Sequence, residues 1–298
     1  VTLADYSAGG PCGSGAGLAT DWRRNGSLRV VEDLNPGKIS TLKGCLGTLH
    51  WVGTLVIIRR RCHLGKGGGD ESLTGLENQG LHRTGINQSL DFKSSGFGNL
   101  VAALEYAARG ETGINFYDGR GELEHVLSYR ELMEGARVLG RKFLGIAPQR
   151  GSRVAIVAET DPMFHKVFFA AQYAGHLPVA LPAGVQLGAH DAYVAQLRRM
   201  LEGCGASIAV APATHIGFLK EAATGLDGVH VGLLEDFEAL DEADCELVAL
   251  DSDEPAYLQY TSGSTRFPRG VEITQASVMN NLREIAEDGL HLGEGDRF

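Results

Sequence analysis

The sequence has few of the features that mark a secreted, membrane-bound or nucleic-acid-binding protein. Cysteine is scarce, with five thiols at 12, 45, 62, 204 and 245 and no CxxC pair. An odd, dispersed set suits reduced thiols in a cytosolic protein better than a disulfide framework. Positive charge is in deficit: 27 Lys and Arg stand against 37 Asp and Glu, a formal net charge of −10. That balance argues against nucleic acid or an anionic membrane as the main partner. Long apolar runs are missing too. The one candidate, Leu46–Ile58 ahead of Arg59-Arg60-Arg61, is too short to span a bilayer and is interrupted by His50. Residues 1–20 lack the basic start and apolar core of a secretory signal. These absences predict a cytoplasmic protein with no membrane span and no nucleic-acid partner. No G-x-x-x-x-G-K-[ST], G-x-S-x-G or HExxH pattern and no Cys/His cluster occurs, so no structural metal is expected.

What is present changes character near residue 88. Residues 1–88 carry 10 basic and 7 acidic residues, whereas residues 89–298 carry 17 and 30. The early part also holds 17 of the 41 glycines, far above an average of about 7%, and both tryptophans, Trp22 and Trp51. It shows no sustained helical or strand period, yet it is unlike a Ser/Gly/Pro linker because it contains Trp and Cys. Two readings fit residues 1–88: a non-native segment, such as a wrong frame or upstream sequence, or a disordered extension.

From residue 89 the signals agree with one another. Asn99–Ala108 places Leu100, Ala103, Leu104 and Ala107 on one helical face, and Ile114–Tyr117 is a strand ending at the turn pair Asp118-Gly119. Ser128 and Glu131 form a capping box, opening a helix with Leu132, Ala136, Leu139 and Phe143 inward. Val154–Ala158 is a strand buried on both faces. Asp161-Pro162 starts a helix with the stripe Phe164, Val167, Phe168 and Ala171, closed by Gly175. Strand 177–181, helix 192–202, strand 207–210, helix 214–223 and strand 229–233 follow. Strands separated by helices of this length imply βαβ units, hence an α/β fold with a mostly parallel sheet and flanking helices.

Late in the chain stands YLQYTSGSTRFPRGVEIT, residues 257–274. Tyr257–Tyr260 and Gly270–Ile273 are predicted strands, and Thr274 caps a helix with Val278, Leu282 and Ile285 on one face. The loop therefore joins two strands, unlike a P-loop, which leads into a helix. Gly263 and Gly270 permit backbone conformations that let successive amides face one concavity. Thr261, Ser262, Ser264 and Thr265 add hydroxyl donors, and Arg269 adds a forked cation. Such a nest suits a polyphosphate.

Residues 259–271, QYTSGSTRFPRGV, resemble the phosphate loop of the AMP-forming, adenylate-forming ligases, usually Y-T-S-G-[ST]-T-G-x-P-K-G-V. Gln259 before the tyrosine, with LSYREL (127–132), AGHLPVALP (174–182) and YVAQLRRML (193–201), is most similar to the fatty acyl-AMP ligases. Arg266 replaces the usual glycine, making the loop stiffer and more cationic, and Arg269 replaces the usual lysine while keeping its charge. The resemblance covers residues 89–298 and implies the N-terminal portion of the AMP-binding domain. It implies ATP-dependent activation of a fatty acid to an acyl-adenylate, with ATP and Mg²⁺ as cofactors and an acyl carrier protein or polyketide synthase as acceptor. An acyl-CoA synthetase, or a non-catalytic remnant that only binds phosphate, are the alternatives. The implied phosphate-binding set is Thr261, Ser262, Gly263, Ser264, Thr265, Arg269 and Gly270. The family's later motifs, including its catalytic lysine, are not in this sequence, so the expectation is a fragment without catalytic residues and inactive alone. His165 and His176 are read as packing or surface residues, Cys204 and Cys245 as inert thiols, and residues 235–246 as a solvated acidic loop.

Overall fold

The computed structural model describes residues 90–184, 190–261, 269–294 and 296. The expectations for residues 1–88 lie outside them.

The chain enters through α1 (Leu100–Ala107), whose first turn is closed by the Asn99 side chain accepting from Ala102 N. Its buried face is Val101, Leu104 and Ala108. This face is rotated by one residue from the predicted one, and Leu100, Ala103 and Ala107 are only half-buried. A hairpin of β1 (Gly113–Tyr117) and β2 (Leu123–Ser128) follows. Strand β2 escaped the sequence reading because its first four residues are exposed, leaving no apolar alternation to detect.

Ser128 ends β2 and caps α2 (Tyr129–Ile146). Glu131 N donates to Ser128 Oγ at 3.1 Å, and Ser128 N donates to Glu131 Oε2 at 3.0 Å, the reciprocal box that was expected. Leu132, Ala136, Leu139 and Phe143 are all buried. Each large apolar side chain so buried contributes about 1.5–3 kcal/mol.

The main sheet has six strands in the order β6-β5-β3-β4-β7-β8. These are β3 (Arg153–Ala158), β4 (Leu177–Pro182), β5 (Ala206–Val210), β6 (His230–Gly232), β7 (Pro255–Thr261) and β8 (Arg269–Thr274). All neighbours are parallel except β7–β8. Central strand β3 has no exposed residue, and Val154 through Val157 are fully buried. A right-handed crossover fixes which face each helix covers. Helix α3 (Pro162–Tyr173), capped by Asp161 and closed by Gly175 at φ +67°, packs with α2 on one face. Helices α4 (His190–Cys204) and α5 (Ile216–Ala222) cover the other. The short α6 (Leu234–Glu238) buries Phe237 edge-on against Phe143.

Helix α7 (Gln275–Glu284) is capped by Thr274, as expected. Only its first turn packs inward, burying Gln275 and Val278. Leu282 and Ile285 are 37% and 41% exposed, because no described element lies over the far end of the helix. Beyond it the chain makes a π-turn, Ile285–Gly289. None of the described helices is long and apolar enough to cross a membrane.

Candidate functional site

In open parallel sheets ligands bind outside the carboxyl ends of the strands, where neighbouring connections leave toward opposite faces. Here β3 exits toward α3 while its neighbours β4 and β5 exit toward the opposite face. Strand β7 runs parallel to β4, so its carboxyl end, which carries Thr261, lies at this same end of the sheet. Strand β8 then returns antiparallel, pairing Tyr260 with Gly270 and Thr261 with Arg269. The hydroxyl-rich segment thus joins the two strands of an antiparallel ribbon, as the two predicted strands required.

Of the predicted site residues, Thr261, Arg269 and Gly270 are described, while Ser262, Gly263, Ser264 and Thr265, with Arg266, lie outside the described residues. Thr261 and Arg269 sit opposite each other at the base of the tip, with Thr261 Oγ1 donating to the Arg269 carbonyl at 3.4 Å. The Arg269 residue is exposed and has no carboxylate partner among the described residues. The reason for glycine at 270 differs from the expected one. Its backbone is not left-handed; instead, a Cβ there would lie 2.9 Å from Leu258 Cδ2, a side chain of the core below.

Beneath the ribbon, Tyr260 turns its ring into the core formed with α4 and donates its hydroxyl to Met200 O at 2.8 Å. Burial, reinforced by the Cys204 thiol beside it, raises the phenol well above its ordinary range. Cys204 itself is buried and pushed up to about 11 by burial, so it is an inert thiol as expected. Cys245, by contrast, is exposed.

Sequence reasoning missed a second polar group at the same end of the sheet. His215, at the N-terminus of α5, points Nδ1 at Glu159 Oε1, 2.8 Å away, and Nε2 at the carbonyl of Ala183, 2.5 Å away. Carbonyl and carboxylate oxygens can only accept, so in each of these two contacts the ring nitrogen is the donor. Thr214 Oγ1 donates to Glu159 Oε1 at 3.1 Å. Tyr193 donates to Pro182 O at 2.7 Å, and burial, with the Glu159 charge, pushes its phenol up to about 12. These bonds tie the exits of β3, β4 and β5 together. No residue spacing announces the group, because Glu159, Ala183 and His215 come from three different loops.

His165 and His176 behave as expected. His165 packs edge-on against Phe116 and Phe164, and burial holds its ring below the usual histidine range. His176 is fully buried, and burial lowers it to about 4. Its ring lies near Ala147, yet neither nitrogen makes a hydrogen bond of good geometry. In the acidic segment, Glu238 pairs with Lys166 at 3.2 Å and Glu242 with Arg141 at 2.5 Å, both part-exposed. No group of three or more histidine, cysteine or acidic residues among those described could hold a metal ion.

Comparison with known proteins places this geometry. The family described as AMP-binding enzyme matches residues 106–298. A putative acyl-CoA synthetase of Caulobacter vibrioides is 38% identical over 201 residues, 67% of this chain and 35% of that protein. A long-chain-fatty-acid–AMP ligase of Mycolicibacterium smegmatis is 34% identical over 160 residues, 50% of this chain and 24% of its own length. A solved structure from a study of fatty acyl-adenylate ligases from E. coli and L. pneumophila is 41% identical, with a TM-score of 0.66, covering 69% of this chain and 37% of that one. The chain thus spans about a quarter to a third of the length of these relatives.

Proposed function

The chain belongs to the AMP-binding enzyme family, and from that membership we propose that it supplies the pyrophosphate-binding half of a site that joins a fatty acid to AMP. The supporting observation is the ribbon end: Thr261 and Arg269, which has no carboxylate partner among the described residues, flank a hydroxyl-rich segment of the sequence at the ligand-binding end of a parallel sheet.

In the proposed reaction a fatty-acid carboxylate attacks the α-phosphorus of ATP. A carboxylate–phosphorus bond forms, the bond to the β-phosphate bridging oxygen breaks, and pyrophosphate carries the released charge away. Thr261, Ser262, Ser264 and Thr265 donate to the β- and γ-phosphate oxygens. Arg269 neutralises charge growing on the leaving group, which lowers the barrier because the charge is met by donors already in place. Magnesium enters with the nucleotide as part of the substrate.

The likeness to the mycobacterial fatty-acid–AMP ligase supports a reaction that yields an acyl-adenylate; the acceptor in this first reading is a carrier-protein thiol. The second reading is an acyl-CoA synthetase, favoured by the Caulobacter relative. The test is fatty-acid-dependent exchange of labelled pyrophosphate into ATP by the intact gene product, followed by offering the adenylate to CoA or to a phosphopantetheinylated carrier protein. Exchange with transfer to the carrier alone supports the first reading, and transfer to CoA the second. Absence of exchange with any fatty acid removes both.

A further inference from the structure

The β7–β8 ribbon is weakly held at its tip. Its ladder with the parallel body of the sheet is registered at Val179↔Leu258, three residues short of Thr261. Past Leu258 the strand has only its antiparallel partner β8, which is itself the last strand of the sheet. Among the described residues this stretch reaches the body through the Tyr260 side chain, whose Oη donates to Met200 O near the end of α4 and lies beside the Cys204 thiol. The helix is shaped to receive it. Position 203 is glycine, and a Cβ there would stand 3.3 Å from the Tyr260 hydroxyl. Glycine near the end of a helix is costly relative to alanine, so its presence is explained by the close approach of the phenol. Cys204 fills the space beside the hydroxyl.

We propose that Tyr260 is the positioning residue of the phosphate-binding tip: its hydroxyl anchors the ribbon to α4 and so aims Thr261 and Arg269 toward the nucleotide. The inference rests on the nucleotide-binding reading above only for its consequence. The anchor itself is a matter of local structure. Without the bond, the tip pivots about the Leu258 rung and the donors at 261 and 269 are no longer held in one orientation, so order must be regained at each binding event.

The test uses the full chain carrying Tyr260→Phe, which keeps the ring in the core and removes only the hydroxyl. Tyr193→Phe, which deletes a comparable buried bond to Pro182 O, is the control for simple loss of stability. Two measurements are made, amide hydrogen exchange and titration with magnesium–ATP. In Tyr260→Phe, amides of residues 257–261 and 269–272 exchange faster while those of β3 and α2 do not change. Affinity for the nucleotide falls about tenfold, the size of one lost hydrogen bond. Unchanged exchange in the ribbon, or equal loosening by Tyr193→Phe, overturns the anchor. Faster exchange with unaltered affinity overturns the positioning role. If the unsubstituted chain binds no nucleotide, the functional reading fails instead, and the exchange data still decide whether the anchor exists.

Discussion

Replacing Gln275 by leucine probes how the ribbon is joined to the rest of the fold. Gln275 and Gln172 are both fully buried. Gln275 Oε1 accepts from Leu100 N at 3.1 Å, and its Nε2 donates to Gln172 Oε1 at 2.6 Å. Gln172 in turn donates to the carbonyl of Ala256 in β7. This chain of amides links the first turns of α1 and α7 to the end of α3 and to β7. Leucine keeps most of the volume, so the loss is almost entirely polar. The Gln172 oxygen, sealed from water, loses its donor at a cost of roughly 2 kcal/mol, and the half-buried Leu100 amide loses its acceptor at roughly 1 kcal/mol. The expected destabilisation is therefore about 3 kcal/mol, a fall in Tm of roughly 6–12 °C for an ordered region of this size. Urea unfolding followed by far-UV circular dichroism measures it. Because Gln172 is then already crippled, adding Gln172→Leu removes the stranded oxygen and costs much less than it does alone. A loss below about 0.5 kcal/mol for Gln275→Leu, the range of an ordinary surface change, would refute the reasoning. So would full additivity in the double variant.

Three further outcomes are expected. Arg269→Ala weakens magnesium–ATP binding about 10- to 100-fold, the scale of a lost charge-assisted contact, whereas Arg269→Lys recovers part of it; calorimetric titration decides. Ser128→Ala removes the box at the start of α2 and lowers stability by about 1 kcal/mol, read from the urea midpoint. His176, lowered by burial to about 4, is neutral in the folded chain while the unfolded chain takes up a proton below about 6.5. Its contribution is present above pH 6.5 and is lost as pH falls toward 4, by roughly 3 kcal/mol at most. Consequently His176→Leu flattens the stability profile between pH 6.5 and 5, and an unchanged slope would show that the buried ring does not titrate this way.

Much of this structure was legible in the residues, and the pattern of what was not is instructive. Val154–Ala158, Asp161-Pro162 and the Ser128–Glu131 box carry their signals locally: burial on both faces, a cap with proline, and two reciprocal hydrogen bonds. The ribbon bearing Thr261 and Arg269 was readable because two apolar strands bracket a loop of unmistakable donor content. Leu282 and Ile285 stay part-exposed, because a stripe at helical spacing says which side of a helix is apolar, not whether anything lies against it. The Gln172–Gln275 and Glu159–His215 contacts stayed invisible, since each joins residues more than 50 positions apart whose types alone imply no contact. The Tyr260 bond was hidden likewise, although Gly203 within a helix hinted at a close neighbour.

The double duty of Ser128 has a consequence for how the early hairpin finds its alignment. Strand β2 buries a single apolar side chain, Leu127, so its own pattern dictates only weakly which residue faces which across the hairpin. Sliding it by one position would nevertheless drag Ser128 off the start of α2, and the helix would lose both reciprocal bonds. The alignment of these two strands is therefore dictated in part from outside, by the helix that follows them, and a change designed at the helix entrance should also be felt as a slipped or frayed β-hairpin upstream.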